Sequence, residues 1–207
     1  MNKTLKNIFD QTCDLFNIID KNAEIMKKAG AGGELADIFR YELLAFLMCL
    51  SSVDGRISRV EAQLIRDYFE LDYYPIHIKQ ALEASNIGSD EFFSRVPESL
   101  KLAVEFDNAF IKETPELENG IGDVILELFK IFGKEMIVAD EKVKAEEQGA
   151  WSLYITMMTQ YIAENSMIWK THAKPSNRRP GAPIQVNYEN SLKTIGRVYT
   201  IFVGKLN

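Results

Sequence analysis

One apolar and acidic pattern occurs twice in this 207-residue chain, with a constant offset of 86 positions, and it constrains the fold more than any other feature. Asp54 and Glu61 recur as Asp140 and Glu147. Leu35, Phe39, Leu43, Phe46 and Leu50 recur as Ile121, Ile125, Phe129, Phe132 and Met136, while Ile57, Tyr68 and Phe69 recur as Val143, Tyr154 and Ile155. Within each copy the apolar residues follow steps of three and four, which places them on one face of a helix. Each copy, over 35–70 and 121–156, therefore reads as helix, short acidic loop, helix.

The rest of the chain extends the helical reading. Leu5, Ile8, Thr12, Leu15, Phe16, Ile19, Ala23 and Met26 form the stripe of a first helix, which Gly30 to Gly33 would end. The second helix is expected from Glu34 to Ser52. Ser58-Arg59-Val60-Glu61 has the S-x-x-E form of a capping box, in which Ser and Glu side chains satisfy free amides of the first turn, so a third helix starts at Ser58. Pro75 suits the first turn of a fourth helix ending near Ser85, and Ser89-Asp90 opens a segment that Pro97 either interrupts or ends by starting a fresh helix. Thr114-Pro115 resembles a further helix start. Residues 171–188 hold a proline-rich, polar loop or tether, followed by a C-terminal helix at 189–207. The predicted fold is all-α: two helix–acidic loop–helix units in one orthogonal bundle, with extra N- and C-terminal helices. Residues 1–170 form its main domain.

Composition narrows the function classes. With 46% hydrophobic residues the chain can bury a large core, and a net charge of −6 opposes non-specific nucleic-acid binding, which needs clustered Lys and Arg. No apolar run reaches the ~18 residues of a membrane span, and the amino end lacks a signal-peptide pattern. Cys13 and Cys49 both fall in apolar helical stripes, as buried reduced thiols of a cytoplasmic protein do. No P-loop, dinucleotide fingerprint or paired nucleophile and base is present, so no nucleotide cofactor is expected. His77 and His172 lack Cys or His partners at zinc-ligand spacing.

The acidic loops carry the chemistry. Asp-Gly-x-Ile-Ser-x-x-Glu matches the second half of an EF-hand loop, but the first and third ligand positions would be Leu50 and Ser52 in one copy and Met136 and Val138 in the other. Glu141 stands where the loop glycine belongs. Neither loop alone supplies the six to eight oxygens that calcium takes. Glu61 is explained by its cap, whereas Glu147 is not, because Lys144 occupies the equivalent cap position and cannot accept an amide hydrogen bond. "LSSVDGRISRVEAQLI" in the first copy, and "MIVADEKVKAEEQGAW" in the second, resemble the TerB-like tellurite-resistance family. That resemblance implies a duplicated all-helical fold whose acidic residues, here Asp54, Glu61, Asp140 and Glu147, form a cation-binding negative patch.

The expectation is a non-enzymatic, cytoplasmic stress-response module that binds a divalent cation such as calcium or magnesium through its paired loops and acts through protein partners. Lys174, Arg178 and Arg179 offer a contact to an acidic membrane surface. The alternatives are a helical adaptor without metal and, behind it, a metal-dependent enzyme.

Overall fold

A computed structural model describes residues 3–22, 34–86, 88–115, 117–140, 143–172, 184 and 186–206. Ten helices and no strand occur among them: α1 Lys3–Lys21, α2 Leu35–Ser52, α3 Arg59–Phe69, α4 Pro75–Ser85, α5 Ser89–Phe93, α6 Glu98–Phe110, α7 Ile121–Val138, α8 Ala145–Asn165, α9 Met167–Thr171 and α10 Tyr188–Leu206. The all-α class read from periodicity is the class observed. Ala23 and Met26 of the first stripe, the Gly30 to Gly33 stop, Glu141, and residues 173–183 and 185 of the expected tether, with Lys174, Arg178 and Arg179, lie outside the described residues.

α2 and α7 form the centre of the bundle. α7 packs against α2, α6, α8 and α10, and α2 also packs against α1 and α6. Both central helices are apolar around most of their circumference, as a helix covered by neighbours on several sides must be. Phe39, Phe46, Phe129 and Phe132 are fully buried there. Phe46 meets Phe129 at 5.1 Å between centroids and stacks on Tyr154 at 5.3 Å, which ties α2, α7 and α8 into one aromatic core. α10 closes the bundle by burying Ile195, Val198 and Phe202, the last against Phe106 and Phe110 of α6. Cys13 and Cys49 are free and buried, and burial pushes their thiols up to about 11 and about 12.

The starts of the central helices are set by carboxylates distant in the chain. Asp20 of α1 accepts from the amides of Leu35 and Ala36 at 2.8 and 2.9 Å, and Asp107 of α6 accepts from those of Ile121 and Gly122 at 2.8 and 2.9 Å. Each carboxylate satisfies orphan amides and meets the positive end of the helix dipole. Glu42 of α2 does the same for α6, accepting from the amides of Glu98 and Ser99 at 2.6 and 2.9 Å. These contacts correct one expectation: Thr114-Pro115 does not begin a helix. The Thr114 amide still donates to Phe110 and Ile111, continuing the end of α6, and α7 starts where Asp107 holds its amides.

Some helix boundaries keep the offset of the sequence pattern, whereas the end of α8 at Asn165 lies well beyond the position that the end of α3 at Phe69 would give. α2 and α7 begin and end at positions 86 apart, as do the first residues of α3 and α8. The repeat differs where Leu47 and Ile65 become Gly133 and Trp151. A Cβ on Gly133 would lie 2.4 Å from the Trp151 ring and 3.0 Å from Phe46, so the larger indole depends on the glycine facing it.

Candidate functional site

The first acidic loop is shaped by its own backbone. The Gly55 amide donates to the Ser52 carbonyl at 2.9 Å, and Gly55 takes φ 80°, a left-handed conformation that glycine adopts without a Cβ clash. Asp54 Oδ1 then accepts from the Arg56 amide at 2.9 Å, which turns its other oxygen inward. Ser58 and Glu61 form the expected capping box: the Ser58 amide donates to Glu61 Oε2 at 2.6 Å, and the Glu61 amide donates to Ser58 Oγ at 3.1 Å. That engagement leaves Glu61 Oε1 directed elsewhere.

The second loop supplies what the first lacks. Lys144 is the N-cap residue of α8 and makes no capping bond with its side chain. Its ammonium instead lies among all four acidic residues of the two loops. Nζ is 2.9 Å from Glu147 Oε1, 3.1 Å from Asp54 Oδ2, 3.4 Å from Asp140 Oδ2 and 3.9 Å from Glu61 Oε1. Asp54, Glu61, Asp140 and Glu147, singled out from sequence, are therefore brought to one place. Lys144, which joins them, shows in the sequence only as a residue that cannot cap; the legible signal is a lysine standing beside a glutamate without a capping partner.

The cluster has an inner and an outer layer. The Glu61 and Glu147 side chains are 1% exposed, whereas Asp54, Asp140 and Lys144 are 16, 17 and 21% exposed and close the mouth. Burial raises the pKa of Glu61 despite its hydrogen bonds from Ser58, and burial together with the charges of Glu61 and Asp54 raises that of Glu147 against the pull of Lys144. Burial opposes ionisation of Asp54, but the Arg56 amide and Lys144 overcome it and hold this carboxyl below its usual range. Burial likewise disfavours the Lys144 ammonium, yet hydrogen bonds to Glu147 and Asp54 and the charge of Glu61 carry its pKa upward.

This geometry is that of a carboxylate cage around an internal cation. An ammonium is a compact point charge with three donors, and two of its contacts are short enough for hydrogen bonds. Glu147 Oε2 and Trp151 Nε1, one helical turn apart on α8, are buried without a hydrogen-bond partner. Among the described residues no set of three or more His, Cys, Asp or Glu side chains is arranged to hold a metal ion. His77 instead acts locally at the start of α4, where its Nδ1 faces the Tyr74 amide at 3.3 Å.

Beside the first loop, a cavity of about 770 Å³ opens between Ser52, Gly55 and Ile57 on one side and Pro75, Ile76 and Leu82 of α4 on the other. A second, of about 360 Å³, lies between α3 and the Tyr73-Tyr74 linker. No helix among the described residues is long and apolar enough to cross a membrane. Comparison with known protein families, with curated proteins and with solved structures finds no match to this chain.

Proposed function

We propose that the protein is a non-enzymatic, TerB-like helical module whose paired acidic loops are latched by an internal cation, the Lys144 ammonium, and which acts through protein partners. The supporting observation is that one Nζ lies within 3.9 Å of a carboxylate oxygen from each of Asp54, Glu61, Asp140 and Glu147. A lysine in that position joins two loops that lie far apart in the chain and supplies the positive charge a buried acidic pair requires. The stress-response role of the tellurite-resistance type belongs to this proposal through the sequence resemblance.

A second reading is a divalent cation, calcium or magnesium, that displaces Lys144. Four carboxylates face one ammonium, and Glu147 Oε2 has no hydrogen-bond partner, so the cage has acceptor capacity that the lysine does not use. Calorimetry and thermal melting with calcium, magnesium and manganese separate the two readings. The latch predicts no saturable heat and no melting shift for wild type, while Lys144→Ala exposes the cage and gains both. A wild-type response abolished by Asp54→Asn with Asp140→Asn would replace the latch with the cation-responsive reading.

A further inference from the structure

A different part of the molecule has the opposite charge. Arg59 and Arg66 lie seven residues apart on α3, which places them on one helix face about two turns, or roughly 10 Å, apart. They line the cavity of about 360 Å³, which Gln63, Tyr73, Tyr74 and Pro75 complete. The chain carries a net charge of −6, and Lys79, Arg95, Lys101 and Lys193 each face a carboxylate one turn away. Arg59 and Arg66 have no carboxylate partner among the described residues, and the lining contains no acidic side chain.

Arg66 is held in place by neutral groups. Its guanidinium stands 4.9 Å from the Tyr74 ring centroid and donates through Nη2 to Gln63, whose own amide is engaged by Asp67. Stacking on an aromatic face leaves the N–H groups of the planar fork that do not meet Gln63 open to an oxyanion, a geometry that an ammonium lacks. Tyr73 and Tyr74 add phenolic donors and ring surface at the wall formed by the linker into α4.

We propose that this cavity binds the phosphate group of a small organic phosphate monoester. Two guanidinium charges match a dianion better than a carboxylate, and paired N–H forks suit phosphate oxygens. The cavity lies near the lower end of the ligand-pocket range of roughly 300–1,000 Å³, which suits a phosphate with a small organic group attached. Tyr73 and Tyr74 line the same cavity and offer apolar ring surface to that group. The cavity shares no lining residue with the acidic cage.

The test is titration of the full chain with phenyl phosphate, inorganic phosphate and benzoate, following arginine Nε–H and backbone amide NMR signals. Phenyl phosphate is expected to give saturable shifts at Arg59, Arg66, Tyr73 and Tyr74 and to bind more tightly than the other two probes. Arg59→Gln and Arg66→Gln should each weaken it by roughly tenfold or more, consistent with the loss of a charge-assisted contact. Arg66→Lys should weaken it too by losing the fork, whereas Arg95→Gln should leave it unchanged. Equal affinity for inorganic phosphate would overturn the monoester assignment in favour of free phosphate, and equal affinity for benzoate would overturn phosphate selectivity. Shifts that fail to saturate, or that persist in folded Arg59→Gln and Arg66→Gln proteins, would overturn the site.

Discussion

Replacing Lys144 by methionine preserves most of the side-chain length and removes only the charge and its donors, so it tests the latch with little change in packing. Four carboxylates would then share the cage with no cation, two of them with side chains only 1% exposed. Breaking a buried ion pair by removing one partner costs about 3–5 kcal/mol. Two features of the structure reduce that figure: Lys144 is 21% exposed, and Glu61 and Glu147 already have raised pKa values and can take up protons when their counter-ion is lost. The expected loss is about 2–4 kcal/mol, or roughly 5–15 °C in melting temperature for a domain of this size. Urea unfolding at neutral pH measures it, with Lys193→Met as the reference because that lysine pairs with exposed Glu189 and should cost under ~1 kcal/mol. Adding Glu147→Gln to Lys144→Met should recover part of the loss, since it removes a buried charge that no longer has a partner. A Lys144→Met protein as stable as wild type would refute the reasoning, because the cage would then not need its lysine.

Other consequences can be checked independently. Because the folded pKa of Lys144 is raised above its ordinary 10.5, its contribution from its own titration is fully present below 10.5 and is lost as pH rises through the folded value; the stability difference between wild type and Lys144→Met should shrink on that alkaline side, and again in acid where the cage carboxyls take up protons. Glu147 follows the same sign in the acid range: its raised pKa means the fold favours the protonated acid, so stability should rise as pH falls through the folded value toward 4.5, and Glu147→Gln should flatten that rise in urea unfolding. Gly133→Ala would push a Cβ into the Trp151 ring and should cost about 1–3 kcal/mol by overpacking, seen as a lower urea midpoint with an altered Trp emission spectrum. Asp107→Ala removes the acceptor for two amides at the start of α7; a loss of about 1–3 kcal/mol and faster hydrogen exchange at Ile121 and Gly122 are expected.

The features legible in the sequence were those fixed by nearby residues. The stripe of α1 from Leu5 to Ile19, that of α2, the Ser58–Glu61 box and Pro75 at the first turn of α4 all depend on steps of a few positions, and the structure places them close to where periodicity puts them. Helix starts set across the fold were not legible. Asp107 looks like one more polar residue on α6 until folding brings it to the amides of Ile121 and Gly122. The same distinction applies at the candidate site. Internal repetition marked the four acidic residues, but a lysine in a loop rich in Lys and Glu reads as solvated, and only the docking of the two loops shows that its charge points inward. The exchange of Leu47 and Ile65 for Gly133 and Trp151 illustrates why the repeat is uneven: a large ring in one unit depends on a missing side chain on the helix it faces.

The latch is tested most directly by observing the Lys144 ammonium itself. In ¹⁵N-labelled protein at neutral pH, the account predicts a slowly exchanging lysine Nζ–H resonance that disappears in Lys144→Met and exchanges faster in Asp54→Asn and Glu147→Gln, the variants that remove its two closest partners. An ammonium signal for Lys144 that exchanges with water as rapidly as that of Lys193, and is indifferent to both substitutions, would place the lysine in solvent and contradict the internal-cation account.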